Sequence, residues 1–203
     1  MKNVKTNKLS QIKRQIILDS AMNVFSQAGL EGATIRAIAS DAEMSTGAVY
    51  SMFEGKEDIY AELLKDSLDA LLTRLNEAQA TAQSPKEAVS NAIWAFFDFY
   101  TENPHAFQMG LYSFSGLRRT GVGRQRGEKL DARLVDALAP MRQAFAEAIR
   151  DASPGAISGM QARVFAFLLG ALSMQMTGRD KSLGSVAREI VADFVDDIVA
   201  DLA

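Results

Sequence analysis

The sequence contains no cysteine and a single histidine, His105. Without cysteine there is no disulfide framework, thiol nucleophile, iron–sulfur cluster or cysteine-based zinc site. One histidine likewise excludes a two-histidine metal centre and a histidine relay. Long apolar runs are missing too. The most apolar stretch, residues 164–176, is interrupted by Gly170, Ser173 and Gln175 and falls short of the ~20 residues that a membrane span needs. The first ten residues are polar, with neither the apolar core nor the cleavage pattern of a signal peptide. The expectation is a cytoplasmic protein that makes no membrane contact. What remains is 203 residues, 48% hydrophobic and 23% charged, a composition that buries a globular core.

The net charge of −3 conceals an asymmetry. Residues 1–60 hold seven bases and seven acids, so the rest of the chain carries the whole acidic excess. Within that neutral segment, residues 1–14 contain Lys2, Lys5, Lys8, Lys13 and Arg14 and no acid. A basic arm on an acidic body marks one end for a polyanion, although a solvated terminus has the same composition.

Helical periodicity runs through the chain and no strand alternation stands out, so the fold class is all-α. Ile17, Ala21, Val24, Phe25 and Ala28 share one face of a first helix that Gly29 can stop. Thr34 is the N-cap of a second helix, with Ile35, Ile38, Ala39 and Ala42 facing inward. Ser45 is the N-cap of a third that runs to about Phe53, where Gly55 breaks the chain. A long helix follows over residues 57–80. Ser84-Pro85-Lys86-Glu87 restarts the chain with a cap, a proline at the first helical position and an acid in the first turn. Further helices fall at 104–115, 127–151, 156–178 and 183–202, nine in all, with a kink at Pro140.

Residues 34–53 read TIRAIASDAEMSTGAVYSMF. Two short helices joined by a tight turn at residues 43–45, each apolar on its packing side, have the layout of a helix-turn-helix, whose second helix enters the DNA major groove. The outward residues of that second helix are Ser45, Thr46, Gly47, Ala48 and Tyr50. They are small or hydroxylated, which permits close approach and donation to phosphates or base edges.

The pattern Thr34-x-Arg36-x-Ile38-Ala39, then Ala42-x-x-Ser45-x-Gly47-x-x-Tyr50-x-x-Phe53 and Lys56-Glu57, closely resembles the signature of the TetR family of bacterial repressors, over about residues 10–60. The resemblance implies a three-helix DNA-binding head over residues 1–56 and a six-helix ligand-binding and dimerisation body over 57–203. It implies phosphate contacts from Thr34, Ser45, Tyr50 and Lys56, and base-edge or groove contacts from Arg36, Thr46, Gly47 and Ala48. Two positions depart from the pattern. Glu43 stands where the turn usually has glycine, and Met52 stands where a phosphate-contacting histidine is frequent.

The resemblance also implies a homodimer on a palindromic operator, with heads about one helical turn apart, ~34–36 Å. The last two helices are the implied dimer surface, with Val164, Phe167, Leu168, Ala171, Phe194 and Ile198 as candidates; each can equally be intramolecular core. The body resembles an inducer-binding domain for a small, largely apolar molecule. Trp94, Phe97, Tyr100, His105, Phe107, Met109, Tyr112, Phe145, Phe165 and Met174 are its candidate pocket residues, and each is equally a core or structural candidate. No cofactor or metal is implied.

Residues 121–127 superficially look like a phosphate-binding glycine loop, but the third glycine comes one residue late and no strand precedes it. Arg118, Arg119, Arg124, Arg126, Lys129 and Arg133 make this the most basic stretch outside the arm. A solvated loop or an anion contact both fit it. An all-helical enzyme lacks any visible catalytic constellation, since Asp196-Asp197 fits a solvated helix face. Activation in place of repression, regulation without a ligand, and a helical adaptor for protein contacts are the remaining readings.

Overall fold

A computed structural model describes residues 2–115, 122–149 and 151–202, the side chains of 2–7 and 112–115 excepted. Among the described residues there are eleven helices and no strand: α1 (Lys2–Gly32), α2 (Ile35–Asp41), α3 (Thr46–Tyr50), α4 (Lys56–Ala80), α5 (Pro85–Glu102), α6 (Pro104–Ser115), α7 (Arg124–Ala137), α8 (Ala139–Ala148), α9 (Pro154–Thr177), α10 (Arg179–Ser182) and α11 (Ala187–Asp201). The all-α expectation holds. The nine expected helices become eleven for two local reasons. Residues 127–151 divide at Leu138, because Pro140 belongs to the first turn of α8 and cannot continue α7. A single turn, α10, is inserted before α11.

Gly29 interrupts α1 at φ 64°, ψ 177°, after which one helical turn resumes as far as Gly32. This is the stop expected at Gly29, and it uses a backbone region that glycine enters without steric cost. The basic arm is not a separate tail: the helix begins at Lys2.

The chain forms two compact units, Met1–Ser67 with His105–Arg133, and Leu68–Pro104 with Leu134–Ala203. The division falls within α4 and again within α7. It does not coincide with the boundary expected after Lys56, because α6 and most of α7 pack with the head.

In the first unit α1 packs on α2 and α2 on α3. Ile17, Phe25, Ile38, Val49, Phe53 and Ile59 form its buried core, the residues that the helical spacing turns inward. Phe25 meets Tyr60 edge to face at 5.1 Å. The Tyr60 hydroxyl donates to the Met109 carbonyl at 2.8 Å, which ties α6 into this unit. Removing a buried aromatic of this kind costs ~3–5 kcal/mol.

In the second unit α5 is central, packed against α8, α9 and α11. It starts as its sequence indicates, with Ser84 Oγ accepting the Glu87 amide at 3.2 Å and Glu87 accepting the Gln83 amide at 2.7 Å. Its Phe96 and Phe97 are fully buried, as is Phe145 of α8. Phe96 lies edge-on to Phe165 of α9 at 5.9 Å.

Candidate nucleic-acid interface

The helix pair is built outward from its two caps. Thr34 is extended (φ −132°, ψ 150°), and its Oγ1 accepts the Ala37 amide at 3.1 Å. Ser45 repeats the arrangement, its Oγ accepting the Ala48 amide at 3.2 Å. A hydroxyl has one donor hydrogen and two acceptor lone pairs. A cap uses an acceptor, so both exposed residues keep their O–H free to donate outward.

Between the helices the chain turns at Glu43, whose φ is 53°, and the Met44 amide closes the turn on the Ala39 carbonyl at 2.8 Å. The departure read at this position therefore takes a definite form: a glutamate sits in the left-handed region, at a cost of about 1–2 kcal/mol that glycine would avoid.

On α3, Val49 is fully buried and fixes the rotation of the helix. Thr46, Gly47 and Tyr50 are then exposed, Tyr50 to 59%, while Ala48 is half-buried and Arg36 of α2 is exposed. A Cβ at Gly47 would lie 3.8 Å from Ser45 Oγ, an ordinary contact. Nothing in its own chain requires glycine there.

Lys56 is placed differently from the other implied contacts. Its Nζ donates to the carbonyls of Leu30 at 2.8 Å, Glu31 at 3.1 Å and Ala33 at 2.9 Å. These acceptors lie at the end of α1 and in the link to α2. Arg14, read only as part of the basic arm, is also engaged inward. Its Nε donates to Glu62 at 2.9 Å and its Nη1 to the Met52 carbonyl at 3.2 Å, and its guanidinium covers the Phe53 ring at 4.3 Å. Its spacing from these partners is too long for any sequence pattern to reveal.

The other candidate residues are distributed as follows. Arg118 and Arg119 lie outside the described residues. Arg124 pairs with Glu128 in the next turn. Arg126 pairs with Glu54 and Asp58, on one wall of a cleft of about 810 Å³ that Lys129 and Arg133 also line. The ten pocket candidates divide between the two units. In the second, Phe97, Tyr100 and Phe145 are buried in its core, while Trp94, Phe165 and Met174 are half-buried; the Arg188 guanidinium covers Trp94 at 4.7 Å. In the first, Phe107 and Met109 are buried and His105 is exposed at the rim of a cavity of about 170 Å³ beside Met22, Phe25 and Tyr60. The side chain of Tyr112 lies outside the described residues.

Of the six dimer candidates, Val164, Leu168, Ala171 and Ile198 are buried against their own unit. This corrects their reading as partner contacts, since an inward side chain has no surface left to offer. Phe167 and Phe194 are half-buried and stack on each other, with centroids 3.7 Å apart. α9 is long and apolar enough, by length and composition, to cross a membrane, and 28% of its most apolar stretch is buried. It carries Arg163, Gln161 and Gln175, and its inward residues pack into a protein core.

Fold and site together define an all-helical protein with a capped helix-turn-helix at its N-terminal end. Residues 17–63 match the profile of the family described as bacterial regulatory proteins, tetR family. Over this segment, less than a quarter of its length, the chain is similar to that family. The HTH-type transcriptional repressor KstR2 of Mycolicibacterium smegmatis is 35% identical over 100 residues, 49% of this chain and 48% of the relative. The match thus spans about half the length of that relative. Among solved structures, the TetR family transcriptional regulator PfmR from Thermus thermophilus is 20% identical, with a TM-score of 0.71 over 90% of this chain and 93% of that one. The transcriptional regulator FadR from Bacillus subtilis, solved with stearoyl-CoA, is 18% identical with a TM-score of 0.71 over 93% and 96%. The fold is the one these regulators share.

Proposed function

We propose that the protein is a dimeric transcriptional regulator, acting as a repressor, that binds a palindromic operator and releases it when a small, largely apolar inducer occupies the body. The observation that carries this reading is the outward face of α3. A serine cap with a free O–H, Thr46, a glycine that its own chain does not need, and an exposed Tyr50 are held by one buried valine. Thr34, Ser45 and Tyr50 serve as phosphate donors, and Arg36, Thr46, Gly47 and Ala48 face the groove. Working on operator DNA places the protein in the cytoplasm, and no enzyme activity is part of this reading.

The partner of the body is a second copy of the chain. α9 presents Phe167 and the exposed Ala166 and Gly170 beside Phe194 of α11, a surface with small residues that permits close helix approach. A single reading helix covers too few base pairs for specificity, so dimerisation and DNA reading are linked. For the inducer, the second-unit residues Trp94, Phe165 and Met174 retain accessible surface. The FadR neighbour was solved with stearoyl-CoA, whose acyl chain is apolar although its CoA part is anionic, which makes long-chain acyl groups, free and as CoA esters, the first to test.

Selection from a randomised pool of DNA duplexes, followed by footprinting, tests the proposal. It predicts two inverted half-sites about one helical turn apart, and release of the duplex on adding an acyl-CoA. A single unpaired half-site would contradict the dimeric reading; a footprint indifferent to every apolar ligand tried would favour regulation without an inducer.

A further inference from the structure

The helix pair over residues 34–51 is held at both ends by a cation that hydrogen-bonds within the protein. Before it, the Lys56 ammonium meets three carbonyls, those of Leu30, Glu31 and Ala33, at 2.8–3.1 Å. An ammonium has three donor hydrogens and no more, so this set saturates it. The acceptors are carbonyls of the turn that follows the Gly29 break and of the link to α2, where helical partners run out. Ala33 immediately precedes Thr34, the cap of α2. Lys56 therefore fixes the point from which α2 starts.

After the pair, Arg14 does the corresponding work. Its Nη1 donates to the Met52 carbonyl, just past the end of α3, its Nε and Nη2 form a two-pronged pair with Glu62 of α4, and its plane lies over the Phe53 ring. A planar guanidinium suits this combination of fork and stack. The backbone is thus held just before α2 and just after α3, by α4 and α1 respectively.

We infer that Lys56 and Arg14 are positioning residues that set the presentation of α3 to DNA, and that neither is a phosphate ligand. This inference rests on the DNA-binding reading above. It reverses the role that the family pattern gives Lys56: its charge is used to shape the reading unit and is not offered to the duplex.

The test uses the full chain and a duplex recovered by randomised-site selection, with binding measured at a series of salt concentrations for wild type, Lys56→Met, Lys56→Arg and Arg14→Met. Losing charge-assisted hydrogen bonds that position the helix lowers affinity by about tenfold or more, with the slope of log affinity against log salt unchanged. A phosphate ligand removed by the methionine substitutions would instead make that slope shallower by about one. Lys56→Arg separates the roles again. A phosphate contact tolerates arginine, whereas a flat guanidinium cannot converge on three carbonyls around one nitrogen, so this variant is expected to bind as weakly as Lys56→Met.

If the variants do not fold, the wild type decides. The Lys56 ammonium resonance, observed by nitrogen-15 NMR, is expected to show slow proton exchange in the free protein and to remain unshifted when the duplex is added. A shallower salt slope in Lys56→Met or Arg14→Met, near wild-type binding by Lys56→Arg, or an ammonium resonance that shifts on adding DNA would overturn the inference alone. Failure of the wild-type chain to retain any duplex would overturn the DNA-binding reading, and this inference with it.

Discussion

Gly47 lies on the exposed side of α3, where a methyl group would make only an ordinary contact with Ser45. Within its own chain, alanine should be the better residue, by about 0.5–1 kcal/mol of helix stability. Gly47→Ala is therefore expected to raise the unfolding midpoint while weakening DNA binding, because the added carbon occupies space that the duplex needs. Unchanged affinity would remove Gly47 from the interface. Glu43 gives a prediction of opposite character. Its φ of 53° makes Glu43→Gly stabilising by about 1 kcal/mol in a denaturant titration. At this scale the candidate site was partly legible. The caps Thr34 and Ser45 and the turn at Glu43 follow from local spacing. The engagement of Lys56 with Leu30 and Ala33, and of Arg14 with Glu62, does not, since it depends on how distant helix ends meet.

At the scale of elements, Ser84-Pro85 opens α5 as expected, and Ser153-Pro154 opens α9 by the same kind of signal, two residues before the start read from periodicity; each serine accepts an amide in the first turn. α11 shows what local signals miss. Its N-cap position is Val186, which has no side-chain acceptor, and the Ala187 amide is instead accepted by Asp180 Oδ2 at 3.2 Å from the neighbouring turn α10. Asp180 is buried, and its Oδ1 has no hydrogen-bond partner among the described residues. Asp180→Ala leaves a buried amide unsatisfied and is expected to lower stability by about 1–3 kcal/mol; Asp180→Asn, which keeps an acceptor in place, should cost less. Equal losses for the two variants in calorimetry would contradict the capping role.

For the whole molecule, the net charge of −3 divides into a neutral first sixty residues, with a basic α1 start, and a body holding the acidic excess. Under the proposed DNA-binding function, that arrangement would keep nonspecific attraction to DNA low away from α3. Fold class was fully legible because helical periodicity is continuous along the chain. The division into units was not: α4 and α7 are each continuous across it, and no composition change marks Ser67. The dimer surface was legible only as a pair of helices. Inward and outward residues alternate along α9 at the same apolarity, so Val164 and Leu168 could not be told from Phe167 by type. Phe167→Arg combined with Phe194→Arg is expected to convert a dimer to a monomer in sedimentation velocity, without unfolding, and to weaken operator binding by at least tenfold through loss of the second half-site. A variant that remains dimeric would place the interface elsewhere.

DNA binding by the outward face of α3 is tested by fluorescence anisotropy with selected duplex at increasing salt, comparing wild type with Tyr50→Phe and Ser45→Ala. Specific binding is expected to fall steeply and linearly in log affinity against log salt, and to be weaker in both variants. Failure of any duplex to be enriched or retained by the wild-type protein, or binding that neither substitution alters, would contradict it.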